Sequence, residues 1–89
     1  MSLNDETTAA ALNRLKRARG QLNGVIDMIE QGRDCRDIVT QLAAVSRALD
    51  RAGVKVISGG MRECIRAEEN GEQPELSEDE LEKMFLSLS

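Results

Sequence analysis

The chain has no histidine, no tryptophan and no tyrosine, and Phe85 is its one aromatic residue. Without histidine it lacks the commonest transition-metal ligand and the commonest general base. Without large rings, its core must come from Leu, Ile, Val, Met and Ala. No run is long or apolar enough to cross a bilayer, and the N-terminus lacks a signal-peptide pattern, which reads as a cytoplasmic protein with no membrane association. Cysteine is confined to Cys35 and Cys64. In a reducing compartment, two such thiols suggest reactive or ligand groups over a structural staple. No base, nucleophile–base pair or cofactor motif stands out, so neither an enzyme nor a bound cofactor is expected.

What is present fits one small helical domain over residues 1–89. A chain this short buries a modest core, so oligomerisation is expected to supply missing burial. The net charge of −4 hides a division. Residues 1–67 carry 11 Lys and Arg against 8 Asp and Glu, whereas residues 68–89 carry 1 against 8. A basic body with an acidic tail is compatible with nucleic-acid binding.

Hydrophobic periodicity predicts three helices, at about residues 7–31, 34–69 and 78–87. In the first, Ala11, Leu15, Ala18, Leu22, Val25 and Ile29 form one apolar stripe. Asn4, Asp5 or Thr7 could cap it, and Gly32 is a natural stop. Gly20 and Gly24 lie one turn apart inside it, which suggests close approach of another backbone. The second helix begins at Asp34, with Asp37 three residues on. Ile38, Leu42, Val45, Leu49, Ala52 and Val56 make one stripe, and Val39, Ser46, Gly53, Ile57, Gly60 and Cys64 an adjoining one. Two stripes imply two packing partners, the first helix and another subunit. Asn70-Gly71-Glu72-Gln73-Pro74 is a turn, and Ser77-Glu78-Asp79-Glu80 is a capping box for the short third helix.

Cys35 and Cys64 fall on the same long helix, on the order of 43 Å apart at 1.5 Å per residue. A disulfide needs its Cα atoms within about 7 Å. The two thiols of one chain therefore cannot meet on an unbroken helix. An antiparallel pair of such helices would place Cys35 of one chain beside Cys64 of the other. Cys35 sits in a first helical turn flanked by Arg33 and Arg36, a setting that favours a thiolate; Cys64 has Glu63 beside it, which helps less. On this basis Cys35 attacks first and Cys64 resolves. The plain alternative is two buried, inert cysteines that fill space. Gly59 and Gly60, one turn before Cys64, either leave room beside its sulfur or let helices pack closely.

Arg14, Lys16, Arg17 and Arg19 cluster on the first helix. Arg47, Arg51 and Lys55 recur at spacing four on the second and share a face. Either set alone reads as a solvated charged face. Together they make phosphate contact credible, though no helix-turn-helix or zinc-finger pattern is visible.

As a set, RLKRARGQLNGV at 14–25, Cys35 after a Gly-containing turn, RA at 51–52 and MREC at 61–64 resemble the copper-sensitive operon repressor family. The likeness covers most of residues 8–86. It implies an all-α, three-helix protomer, an antiparallel four-helix-bundle dimer, and a flat homotetramer built as a dimer of dimers. It implies a DNA-binding transcriptional repressor with operator DNA as partner. The family's sensing positions fall on Cys35, Gly60 and Cys64, and Gly60 stands where copper and formaldehyde sensors carry histidine. Nickel or cobalt sensing fits less well still. The formaldehyde version uses an N-terminal proline, where this chain has Ser2.

The remaining match is the persulfide-sensing branch, which keeps two cysteines and lacks the histidine. It implies persulfide or polysulfide donors as partners. One thiolate takes up sulfane sulfur, the other thiol attacks across the subunit interface, and di- or polysulfide bridges release the operator. The alternative is a Cu(I)-responsive repressor in which Cys35 and Cys64 supply a two-thiolate metal site. A helical interaction module with space-filling cysteines is a third reading. The family's DNA contacts map most directly onto Arg14 and Arg51, with Lys16, Arg17, Arg47 and Lys55 added by their position.

Overall fold

A computed structural model describes residues 3–88 as α1 (Asp5–Glu30), α2 (Cys35–Glu69) and α3 (Glu78–Ser87), with no strand among the described residues. Ser2 lies outside them.

Each boundary has a local cause. Asn4 is extended, and its side chain accepts the Thr7 N–H at 2.8 Å. Of the three candidate caps it is therefore Asn4 that acts, and α1 starts two residues earlier than the apolar stripe suggests. Gly32 ends the hairpin's first arm at φ +69, a left-handed conformation that suits glycine. Asp34 caps α2 by accepting the Arg36 N–H at 3.3 Å. The helix then runs unbroken for 35 residues through Gly53, Gly59 and Gly60. At the start of α3 the Ser77 hydroxyl accepts the Glu80 N–H at 3.1 Å, while the Glu80 carboxylate accepts the Ser77 N–H at 3.3 Å. The predicted capping box is thus complete.

α1 and α2 form an antiparallel hairpin, and α3 folds back along α2. Ala11, Ala18 and Val25 are buried on α1, and Val45, Ala52 and Gly59 on α2, at a spacing of seven on both. Small residues at heptad spacing let the two helices approach closely. The predicted stripes therefore split. Their small members meet inside the hairpin, while Leu15, Leu22, Ile29, Leu42 and Leu49 remain 42–59% exposed. The protomer measures 58 × 24 × 13 Å. Its thinnest dimension is close to one helix diameter, so the three helices make a single layer.

Two glycines accommodate side chains from other elements. A Cβ on Gly59 would collide with Thr7 at the start of α1, and one on Gly53 would sit 2.6 Å from the Leu88 Cδ1 atom at the end of α3. Gly20 and Gly24 face open space in the protomer. A Cβ on either meets nothing within 4 Å, so neither serves packing within the protomer. Both are exposed. Among the described residues, no helix is long and apolar enough to cross a membrane.

Candidate functional site

The two thiols occupy opposite environments on one helix. Cys35 is the first residue of α2 and is exposed. Beside it, Arg33 and Asp37 form an exposed ion pair at 3.8 Å. Cys64 lies near the far end and is 1% exposed. With α2 unbroken between them, helix rise puts them on the order of 43 Å apart. The protomer keeps its own sulfurs separate.

The acidic groups facing Cys64 are not the neighbour that the sequence suggested. Glu63, one residue back and so about 100° around the helix, turns away. Its carboxylate accepts from Asn4 Nδ2 at 3.2 Å and from Arg66 Nη1 at 3.1 Å. Cys64 instead donates its S–H to the Glu68 carboxylate at 3.8 Å, one turn on. The return of α3 brings Glu78 to the same place, so the Cys64 thiol and the Glu68 and Glu78 carboxylates lie within 4.8 Å of one another. Burial pushes the Cys64 thiol's pKa up, and the Glu68 and Glu78 charges push it further in the same direction. One thiol and two carboxylates form a mixed donor set, harder than a copper(I) ion prefers.

Gly59 and Gly60 are both buried. The contact of Gly59 with Thr7 answers one of the two readings of the pair, because close helix packing is what that position serves. Thr7 is itself buried at 1% exposure, and its hydroxyl accepts a hydrogen bond from Arg62 Nη2 at 3.3 Å. The start of α1 is therefore tied to the segment of α2 that carries Cys64 at three adjoining positions: Gly59, Arg62 and Glu63.

The basic residues divide. Arg14 of α1 and Arg51 and Lys55 of α2 line one open cleft of about 620 Å³, together with Asp50, Val54, Ser58 and Arg62. The two basic stripes thus meet across the hairpin. Lys16, Arg17 and Arg47 are exposed and do not line this cleft, although Arg17 follows Arg14 by one turn and Arg47 precedes Arg51 by one turn. Arg62 was missed by sequence reasoning. The signal was present, since Arg62 continues the Arg47–Arg51–Lys55 face two turns on, after Ser58.

Comparison with known proteins gives one consistent picture. Residues 7–87 match the family described as metal-sensitive transcriptional repressor. The copper-sensing transcriptional repressor CsoR of Mycobacterium ulcerans is 45% identical over 58 residues, which is 65% of this chain and 50% of that protein. The protein of the same name from Bacillus subtilis is 36% identical over 53 residues, 60% of this chain and 52% of that one. YrkD of B. subtilis, an uncharacterized protein, is 51% identical over 39 residues, 44% of this chain and 62% of that one. The chain spans about half the length of the copper-sensing relatives it matches.

Proposed function

The chain belongs to the metal-sensitive transcriptional repressor family, and from that premise we propose that it is a DNA-binding repressor that reads its effector with Cys35 and Cys64. Such repressors are not normally enzymes. The observation that carries the proposal is the placement of both thiols on one unbroken helix, with a basic cleft built from Arg14, Arg51 and Lys55 on the same hairpin.

A sensing pair must then join two chains. The single-layer protomer leaves Leu15, Leu22, Leu42 and Leu49 exposed, which supports pairing with a second copy. In the assembly proposed here, two hairpins form an antiparallel four-helix bundle. Cys35 of one copy comes beside Cys64 of the other, and dimers pair into a flat tetramer. Repeated basic clefts would then lie along a duplex and contact its phosphates.

Two effectors compete. Copper(I) is favoured by the names of the CsoR relatives, which are copper-sensing repressors. Two thiolates are soft donors of the kind that hold Cu(I), so Cys35 and Cys64 fit it in type. They would hold the ion, whose positive charge would offset that of the thiolates. Reactive sulfur species are the second reading. One observation favours them: Gly60 offers no donor atom, and the chain has no histidine to replace it. In that case Cys35, exposed at its helix start, takes sulfane sulfur from a persulfide or polysulfide. The Cys64 thiol then attacks the Cys35 persulfide. As a thiolate, having given up its proton, Cys64 bonds to the Cys35 sulfur and the outer sulfur leaves as hydrosulfide, which gives a disulfide. Where Cys35 has taken up two sulfane sulfurs, attack on the middle sulfur expels the terminal one as hydrosulfide and leaves a trisulfide link. Either event releases DNA only by favouring the DNA-free arrangement.

The two are separated by titrating the reduced protein on its operator with Cu(I) or with polysulfide. Stoichiometric Cu(I) binding that abolishes DNA binding supports the copper reading. Intact masses of linked chains rising in single-sulfur steps, with Cu(I) bound weakly, support the sulfur reading. Unreactive thiols and no operator affinity would leave the interaction module.

A further inference from the structure

Four cations line the cleft between α1 and α2, against the single carboxylate of Asp50. The exposed ion pairs of the described residues use Arg33 and Arg66; none of the cleft's cations takes part in them. Arg14, Arg51, Lys55 and Arg62 therefore face an open space of about 620 Å³ with a clear excess of positive charge. Arg51 and Lys55 lie one turn apart on α2, and Arg14 comes from α1. Arg62 is different, because its guanidinium is held from one side by the buried Thr7 hydroxyl at 3.3 Å. One hydrogen bond leaves most of its five N–H donors directed elsewhere. A guanidinium fork fixed at one edge and open at the other suits a tetrahedral oxyanion.

We infer that Arg62 is the fourth contact of a phosphate-binding cleft, positioned by Thr7, and that its ligand is a backbone phosphodiester of duplex DNA. The identity of the ligand rests on the DNA-binding reading above; the phosphate chemistry of the cleft does not. Arg62 precedes the Cys64 thiol by two residues and also touches α1. It is thus the cleft cation nearest in sequence to the sensing pair.

The test uses the full chain and a labelled mixed-sequence duplex, followed by fluorescence anisotropy across a series of KCl concentrations. Removing one cation that neutralises a phosphate lowers the slope of log K against log salt by about 0.9. Arg62→Ala is expected to lower the slope by that amount for each protomer engaged. Arg62→Lys keeps the charge and is expected to keep the slope. Thr7→Val keeps the cation but frees it, and should weaken affinity with little change in slope. An unchanged slope in a folded Arg62→Ala protein overturns the inference, because a merely structural arginine would alter helicity or melting and not salt dependence. A second measurement follows the arginine side-chain Nε–H resonances of the wild-type protein during titration with pyrophosphate. Arg62 is expected to shift together with Arg14 and Arg51. If the wild type bound no duplex while these three moved together, DNA would fall as the occupant and the phosphate cleft would stand. An immobile Arg62 resonance would remove the cleft assignment itself.

Discussion

The Cys64 thiol donates to the Glu68 carboxylate at 3.8 Å and is sealed from solvent, while Cys35 begins the same helix in the open. One sulfur is therefore accessible and the other is guarded by charge. In the function proposed above, the effector would reach Cys35 first and then draw a proton from Cys64.

That asymmetry gives a pH dependence. A thiol whose folded pKa is raised above its unfolded value binds more protons in the native state than in the unfolded state. Its stabilising contribution is complete below the ordinary thiol pKa and is lost as pH rises through the folded value. Stability is expected to fall across that alkaline window, and Cys64→Ala should flatten this part of the profile. Denaturant melts at a series of alkaline pH values measure it.

Removing the guard should speed the guarded thiol. Glu68→Gln and Glu78→Gln each take away a negative charge that raises the Cys64 pKa. Alkylation of Cys64 by iodoacetamide at fixed pH is expected to accelerate in either variant and most in the pair. Equal rates in wild type and variants would mean that burial alone controls Cys64.

Gly59 should be intolerant of a side chain. A Cβ there collides with Thr7, which is itself buried. Gly59→Ala is expected to destabilise by about 1–3 kcal/mol, the usual range for overpacking. Shortening the obstacle with Thr7→Ser in the same chain should recover part of that deficit. Gly24→Ala, by contrast, meets open space in the protomer. It should be neutral or stabilising unless a second copy packs there. Thermal melts of the four proteins decide the matter.

Arg51→Ala and Arg14→Ala are expected to weaken operator binding and to reduce its salt dependence by about 0.9 in log–log slope for each phosphate left without its cation. Neither should alter thiol reactivity, because both residues lie in the cleft and not beside either sulfur. A gel-shift series run with parallel thiol counting checks both halves.

Much of the fold was legible because its signals are local. The Ser77–Glu80 capping box, the turn at Gly71 and the long apolar period of α2 needed only near neighbours in sequence. The division of the apolar stripes was not legible. Periodicity marks every residue on a face, whereas helix separation decides which ones bury: Ala18 does and Leu22 does not. The same limit applies at the site. Glu68 follows Cys64 at helical spacing and could have been read, but Glu78 arrives only because α3 folds back. Arg62 continued a spacing already noticed, yet its tie to Thr7 joins residues from opposite ends of the hairpin. In the function proposed above, the effector would depend on groups from another copy of the chain, which no pattern within one copy specifies.

The most direct test asks which chains the sulfurs join. Equal amounts of ¹⁴N- and ¹⁵N-labelled protein are unfolded together, refolded and oxidised under mild conditions, and the linked peptides are weighed by mass spectrometry. Cys35 joined to Cys64 with mixed labels in the statistical proportion is the predicted result. Linked Cys35–Cys64 peptides carrying only matched labels would place both thiols of one chain together and contradict the account.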